Sequence, residues 1–397
     1  MVAPFTAAEI DAIRADTPGC TPELIHLNHC GSSLPPRTAL ETQIVHLRRE
    51  ATIGGYEAAD EAADRHAAVF TSIASMIGAD EHQIARMEHA TAAWNAAFWS
   101  LPMRPGQRII THDHDYGANW IAFLRAAEVH GVTIERVPSD ATGQVDLDRL
   151  AVALERPEEV ALVSLAWIPT SGGLVNPAAT VGALTRRAGV PFLLDACQAV
   201  GQLVVDVAEL QCDFLSATGR KFLRGPRGTG FLYVRDDILD RAVPAQPDHH
   251  GAEWVALDRY EFAEGARRFE HWEHDHAAWL GLGAAVDVAS SLGLDRIEAT
   301  VYARAADLRN GLRSLGWNVH DVGRQQCGIV TTTHPTRPSA DVRERLFAEG
   351  IHVSTTFAGS ARADMESRGL PPMVRMSVHC TTTADEIERT LATLRRI

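Results

Sequence analysis

Three side chains capable of carbonyl chemistry fall at the ends of successive apolar runs. Val190-Pro-Phe-Leu-Leu-Asp195 leads into Ala196-Cys197-Gln198, and Asp213-Phe-Leu-Ser-Ala-Thr218 leads into Gly219-Arg220-Lys221. Gly225-Pro-Arg-Gly-Thr-Gly230 and a further apolar run to Val234 follow. A lysine amine condenses with an aldehyde held beside it in a desolvated site. A carboxylate can keep a heterocyclic nitrogen protonated, and hydroxyls, arginine and a helix N-terminus can hold a phosphate. Strand ends are where α/β proteins collect such groups, and these lie within about one βαβ unit and a further strand.

The ordered set resembles the class V aminotransferase family, the pyridoxal 5'-phosphate (PLP) enzymes that include cysteine desulfurases, kynureninase, isopenicillin N epimerase and hercynylcysteine sulfoxide lyase. The resemblance runs from His26-Leu-Asn-His-Cys-Gly31 to Arg375-Met-Ser377, nearly the whole chain. It implies fold type I, an α/β architecture with a mainly parallel seven-stranded sheet, helices on both faces and a smaller α+β C-terminal domain. Residues 1–25 are then an N-terminal segment packing on the small domain. Residues 26–265 form the large PLP-binding domain, and 266–397 the linking helix and small domain.

The resemblance also implies roles. Lys221 follows Thr218-Gly219-Arg220, similar to the family's Ser-Gly-His-Lys, and would form the Schiff base and carry the substrate's α-proton. Asp195 and Gln198 match Asp-x-x-Gln, whose acid pairs with the pyridine nitrogen and whose amide meets the ring phenolate. Ala90-Thr91-Ala92-Ala93-Trp94-Asn95 resembles Ala-Thr-Glu-x-x-Asn, so Ala90, Thr91, Thr218 and Arg220 would hold the phosphate. Here His89 replaces a usual glycine and Ala92 a usual acid. Tyr116, in Asp115-Tyr-Gly-Ala-Asn119, would stack on the cofactor. Arg375 would grip the substrate carboxylate, with Asn28 beside it and His29 near the entrance. Arg267, Arg268 and Glu270 match Arg-Phe-Glu, but Trp272-Glu273 departs from the Gly-Thr that supplies a phosphate contact from a neighbouring subunit.

Each residue also has a purely structural reading. Asp195 could cap a helix with Gln198 as its capping-box partner, and Thr91 could be a simple N-cap. Tyr116 could be a core aromatic and Arg375 an exposed arginine on an edge strand. Lysines are rare in this chain, which favours a site role for Lys221.

Short β-branched runs predict strands at Arg108–Thr111, Val132–Val137, Val160–Leu165, Val190–Asp195, Asp213–Ser216 and Gly230–Val234. Helical patterns separate them at Thr91–Leu101, Asn119–His130, Asp146–Glu155 and Pro177–Ala188. Continuous apolar strands alternating with helices predict a mainly parallel sheet covered on both faces. Further on, His276–Leu292, Asp341–Glu349 and Thr383–Arg395 read as helices. Strands are predicted near Gly316, Gly328–Thr333 and Met373–Val378, and Gln246–Glu253 reads as a loop. Trp120, Trp167 and Trp254 are candidate pocket walls.

Length suffices for two packed domains, and 46% hydrophobic with 22% charged residues is the composition of a globular protein. A formal net charge of −14 argues against nucleic-acid or anionic-membrane partners. The first residues carry no secretory pattern, no apolar run reaches membrane-spanning length, and six cysteines are scattered without CxxC pairing. A cytoplasmic location and no membrane partner are expected, with a homodimer implied by the resemblance. Glu270-His-Trp-Glu-His-Asp-His276 has metal-ligand spacing on a helix, but a solvated His-rich helix start is the plainer reading, so no metal is expected. Gly225–Gly230 precedes a strand, which excludes a dinucleotide loop.

The expected activity is a PLP-dependent reaction on an α-amino acid substrate. A C–S β-lyase acting on a cysteine S-conjugate is favoured by Arg14-Ala-Asp-Thr-Pro-Gly-Cys20 followed by His26-Leu-Asn, which resembles the lyase and epimerase branch. An aminotransferase or epimerase would share every named residue. A catalytically silent PLP-binding partner protein is a third reading, opposed by the joint presence of Lys221, Asp195 and Arg375. The stretch from Gly350 to Pro372, where desulfurases carry a mobile cysteine, contains none.

Overall fold

The computed structural model describes residues 2–397; Met1, where the N-terminal segment begins, lies outside the described residues. Seven strands form the central sheet: β1 (Ile84–Met87), β2 (Arg108–His112), β3 (Thr133–Val137), β4 (Val160–Ala166), β5 (Phe192–Asp195), β6 (Phe214–Thr218) and β7 (Gly230–Val234). Their spatial order is β1-β7-β6-β5-β4-β2-β3, and only β7 runs antiparallel to its neighbours. The α/β sheet expected from the apolar runs is therefore present. Alternate residues of β5 divide between two cores, Phe192 and Leu194 on one face and Leu193 on the other. That two-sided burial is why the strands read as continuous apolar runs.

Boundaries move for local reasons. β5 begins at Phe192 rather than Val190, because Pro191 has no N–H to donate to the ladder. β6 extends past Ser216 to Thr218, where Ala217 and Thr218 pair with Phe231 and Gly230 of β7. β1 was not anticipated. It is four residues long with Arg86 in the middle, and the buried Glu270 carboxylate accepts the Arg86 backbone N–H at 2.9 Å. Gln246–Glu253 is not loop throughout, since its last two residues open an exposed hairpin of Ala252–Ala256 and Arg259–Phe262.

A second, four-stranded antiparallel sheet runs Asn318–Val319, Ile329–Thr333, Val374–Ser377, Ser354–Thr355 in spatial order. Helices Leu294–Ser314, Ser339–Ala348 and Ala384–Arg396 cover it around a core that includes Leu308, Leu346 and Leu394. Phe5, Ile10 and Ile13 of the N-terminal segment belong to that core. Helix His276–Leu292 connects the two sheets. Among the described residues no single helix is long and apolar enough to cross a membrane.

Gly201 shows how closely elements approach near Asp195. Its φ is +92°, and a Cβ there would overlap the backbone of Phe222 and Leu223. Gly189, which ends helix Ala178–Ala188 at φ +68°, faces open space instead. Gly189→Ala should cost only the left-handed penalty of about 1–2 kcal/mol. Gly201→Ala adds overpacking of about 1–3 kcal/mol and should lower the urea midpoint correspondingly further. Equal midpoints for the two variants would contradict the close approach.

Candidate active site

Ala166, Asp195 and Ser216 stand abreast where β4, β5 and β6 end. Helices Ala90–Ser100 and Gly117–His130 begin at the same edge, following β1 and β2. Together they enclose a cavity of about 360 Å³. Lys221, Asp195, Gln198, Tyr116, Thr218, Arg220, Ala90 and Thr91 all line it. Asn28 and Arg375 do not.

Asp195 is buried, and its position is set by two donors. Oδ1 accepts the Cys197 N–H at 3.0 Å and Oδ2 accepts Asn119 Nδ2 at 3.2 Å. The same amide donates to Oδ1 of Asp115 at 2.7 Å. Asp115 also accepts the Tyr116 N–H at 2.8 Å, the Thr111 hydroxyl at 2.8 Å and the Ser164 hydroxyl at 3.0 Å. Burial raises Asp195 above the ordinary carboxylate range, opposed by the Cys197 N–H and the Lys221 charge. Burial, aided by the Asp195 charge, pushes Asp115 up to about 6. Asp195 does make a local backbone bond, but Gln198 is no capping-box partner. Its Nε2 donates to the Cys30 carbonyl at 3.2 Å, leaving the buried Oε1 without a partner.

Lys221 is the only lysine in the sequence; every other one of the 37 basic Lys and Arg positions is arginine. Its Nζ lies 3.0 Å from Cys197 Sγ. The lysine sits on a tight loop closed by Gly219 N–H to Thr229 O at 2.9 Å and Gly225 N–H to Gly219 O at 2.8 Å. Arg224, three residues on, adopts φ +60°, rare for a side chain of its size. Its guanidinium is held by the Leu34 carbonyl at 3.1 Å and the Thr17 hydroxyl at 2.5 Å. Cys197 is a site residue that sequence reading passed over, and burial pushes its thiol up.

At the opposite end, Thr91 is not the N-cap. His89 caps helix Ala90–Ser100, its Nδ1 accepting the Ala92 N–H at 3.0 Å, which places Thr91 in the first turn. The unusual histidine thus supplies a cap that its glycine counterpart could not. Thr218 Oγ1 donates to Thr229 O at 3.2 Å. Arg220 Nη1 donates to the Gly31 carbonyl. Arg227, exposed on the same wall, was not anticipated as a site residue.

Arg375 reaches the cavity indirectly. Nη1 donates to the Thr170 carbonyl at 2.9 Å and hydroxyl at 2.8 Å, and Nε to Ser354 Oγ at 3.0 Å, while Thr170 lines the cavity. Asn28 bridges to Ser377 on the same strand, and its Oδ1 is buried without a partner. Tyr116 caps helix Gly117–His130 and is 38% exposed, so it is not a core aromatic. His29 is buried against His379 and bonded to Ser33, outside the cavity. Trp120, Trp167 and Trp254 are not walls of this cavity; Trp94 is, and Trp254 lies on the exposed hairpin. The helical spacing over Glu270–His276, read as a solvated helix start rather than a metal site, is not helical: the helix begins only at His276, and Glu270 pairs with Arg86 at 3.2 Å.

These residues fit PLP. A buried carboxylate with two weak neutral donors matches a protonated ring nitrogen, and the unpartnered Gln198 Oε1 and Ser216 Oγ show polar capacity left open at the same edge. The first turn of helix Ala90–Ser100, which lines the cavity, presents backbone N–H groups of the kind a phosphate would need.

Because folding raises Asp115 from about 4 to about 6, the folded chain binds more protons than the unfolded one within that window. The group's contribution to stability therefore falls as pH rises from about 4 to about 6. Asp115→Asn keeps the packing, and the Thr111 and Ser164 hydroxyls can turn to accept its amide. The wild-type-minus-variant difference in urea unfolding free energy should decline across that window, and a flat difference would contradict the assignment.

The profile of the family Aminotransferase class-V matches residues 26–390. A cysteine desulfurase of Pectobacterium atrosepticum is 28% identical over 98% of each chain. A probable cysteine desulfurase of Pyrococcus abyssi is 26% identical over 97% of this chain and 96% of its own. Among solved structures, apo cysteine desulfurase from Thermococcus onnurineus aligns with a TM-score of 0.91 at 24% identity, over 100% of this chain and 99% of that one. A cystine C-S lyase in complex with its reaction product, cysteine persulfide, aligns with a TM-score of 0.82 at 24% identity, over 93% and 97%. At that identity the structural likeness concerns the fold, whereas the family match spans the chain. This protein belongs to the class-V aminotransferase family of PLP-dependent enzymes.

Proposed function

We propose that this enzyme is a C–S β-lyase that cleaves a cysteine S-conjugate to a thiol, pyruvate and ammonia. The observation that carries the reading is the chain's sole lysine facing the buried Asp195 across one cavity, with a neutral thiol as its nearest partner. PLP, when bound, supplies the electron-withdrawing ring that stabilises negative charge at the substrate α-carbon.

The residues divide the remaining work. Asp195 would hold the positive charge of the ring nitrogen, and Gln198 would donate the second N–H of its Nε2, the one not given to the Cys30 carbonyl, to the ring's oxygen substituent. Thr91, Thr218, Arg220 and the amides at Ala90 and Thr91 would hold the phosphate, and Tyr116, on the same cavity wall, would contact the ring. Arg375 exchanges its Thr170 contacts for the substrate carboxylate, so orienting the α-hydrogen toward Lys221. Lys221 Nζ accepts that proton. The Cβ–S bond then breaks, the sulfur leaves as a thiol after protonation, and the remaining enamine hydrolyses in water to pyruvate and ammonia.

Two further observations support elimination over desulfuration, the activity borne by the named relatives. A desulfurase needs a thiolate nucleophile, whereas burial keeps Cys197 protonated. The stretch that would hold a mobile cysteine contains helix Ala358–Ser367 and no cysteine. The cystine C-S lyase among the fold neighbours is in keeping with this choice.

Incubation with S-alkyl cysteines and cystine should yield pyruvate, ammonia and thiol or persulfide in equal amounts. Lys221→Ala should lower turnover by about 100- to 10,000-fold, and Arg375→Lys should raise KM more than it lowers kcat. Alanine with protein-bound sulfur would replace the lyase with a desulfurase. Keto acid without ammonia would replace it with an aminotransferase.

A further inference from the structure

Away from the active-site cavity, two helices near each other in sequence and a third much further along the chain bring histidines to one point. His46 lies on Arg37–Ile53, His66 on Ala63–Ile77, and His276 opens His276–Leu292. One ring nitrogen from each falls within 4.8 Å of the others. His276 Nδ1 and His66 Nε2 are 3.4 Å apart. Two nitrogens bound at about 2.0–2.1 Å to a tetrahedral zinc ion stand about 3.3 Å apart, so that pair already has the required edge length.

His46 supplies the independent observation. Its ring is buried, only 1% exposed, and neither nitrogen has a hydrogen-bond partner. Nε2 is 3.1 Å from Glu50 Oε1, but off line for a hydrogen bond. A buried imidazole with two idle nitrogens is costly unless something else engages it. His66 and His276 also line a second cavity of about 750 Å³, which gives an ion a way in and leaves room for a solvent ligand.

We infer that His46, His66 and His276 bind a divalent transition-metal ion of the zinc class, with solvent in the fourth position facing that cavity. Three neutral imidazoles suit zinc, cobalt or nickel and offer no oxygen cage for magnesium or calcium. Burial lowers His66 to about 3, helped by the neighbouring His276, and lowers His276 as well, so their lone pairs are free at neutral pH. The nearby Arg86 charge opposes a cation, but its guanidinium is paired with Glu270 at 3.2 Å. The alternative is a cluster of imidazoles held only by packing and the His66–His276 contact. The ion would pin helices Arg37–Ile53 and Ala63–Ile77 to the helix that connects the sheets. The lyase reading neither requires nor uses it.

The test uses tag-free holoenzyme dialysed against chelator, then titrated with Co²⁺ and, separately, with Zn²⁺. Expected are one equivalent bound, an intense tetrahedral d–d spectrum with Co²⁺, and a raised thermal midpoint with Zn²⁺. His66→Gln and His276→Gln, both at half-buried positions, should each weaken binding by more than about tenfold, the loss that even outer-sphere substitutions produce. His46→Gln should do the same; if it fails to fold, the other two variants decide. Substoichiometric binding, a weak octahedral spectrum, or binding unchanged in the folded variants would overturn the site. An ion held at the coenzyme instead would appear as that last result.

Discussion

Placing a carboxylate at the end of a strand buried on both faces sets the terms for everything at this sheet edge. Desolvating an isolated carboxylate costs several kcal/mol unless hydrogen bonds and an opposite charge compensate it. Asp195 has one backbone donor, Cys197 N–H, and one side-chain donor, Asn119 Nδ2. Asn119 is itself shared with the buried Asp115, so one amide ties β5 to the start of helix Gly117–His130 and so positions Tyr116. Two neutral donors leave much of the charge uncompensated, and burial accordingly raises the group. On the proposed reading, a cationic ring nitrogen would add to the compensation that the Lys221 charge supplies. Affinity for the cofactor and the shape of the edge would then be two consequences of one buried charge.

The antiparallel β7 decides how the lysine is presented. A parallel neighbour to β6 would need a crossover of a dozen or more residues, whereas an antiparallel one permits a direct return at the same edge. Lys221 therefore sits on a short, internally bonded loop rather than on a helix. Arg224 fastens that loop to Thr17 and Leu34 at a left-handed backbone position. Backbone strain of this kind persists where surrounding contacts over-determine it. The Cys30 carbonyl accepts Gln198 Nε2, while the Cys30 N–H donates to Ser377 Oγ at 2.9 Å. Through these bonds the N-terminal region links the sheet edge that carries Gln198 to the strand that carries Arg375.

The sequence made β4 to β7 legible because each is buried throughout and largely apolar, and the strand ends then located Asp195 and Lys221. β2 and the partly exposed edge strand β3 are legible instead as short β-branched runs. β1 escaped because Arg86 interrupts it and its stability depends on Glu270, far away in sequence. The exposed hairpin after residue 251 escaped because one-sided burial leaves no apolar run. Spacing along the chain cannot report which residues meet across it. Within Glu270–His276 it offers only metal-like spacing, for which a solvated helix start is the plainer reading, whereas the structure gathers His276 with His46 and His66. Cys197 lay inside a motif already read, but its distance to Lys221 is set by the register of β5 and β6 and by the loop that follows.

That distance bears on which bond breaks. Overall likeness to desulfurases follows from the sheet, the lysine loop and the cofactor contacts, all of which elimination needs equally. What separates the two chemistries is a thiolate free to reach the substrate sulfur. Here the cavity's cysteine is fixed beside a strand end, protonated by burial and engaged with the lysine amine. The corresponding small-domain stretch makes side-chain contacts with the large sheet's side of the molecule. Asp364 of helix Ala358–Ser367 lies 3.3 Å from His114 Nδ1 and accepts the Ser171 hydroxyl at 3.2 Å, both on the large sheet's side of the molecule. On the proposed lyase reading, with no nucleophile poised to take the sulfur, the group on Cβ would depart with its bonding electrons once Lys221 Nζ had taken the α-proton.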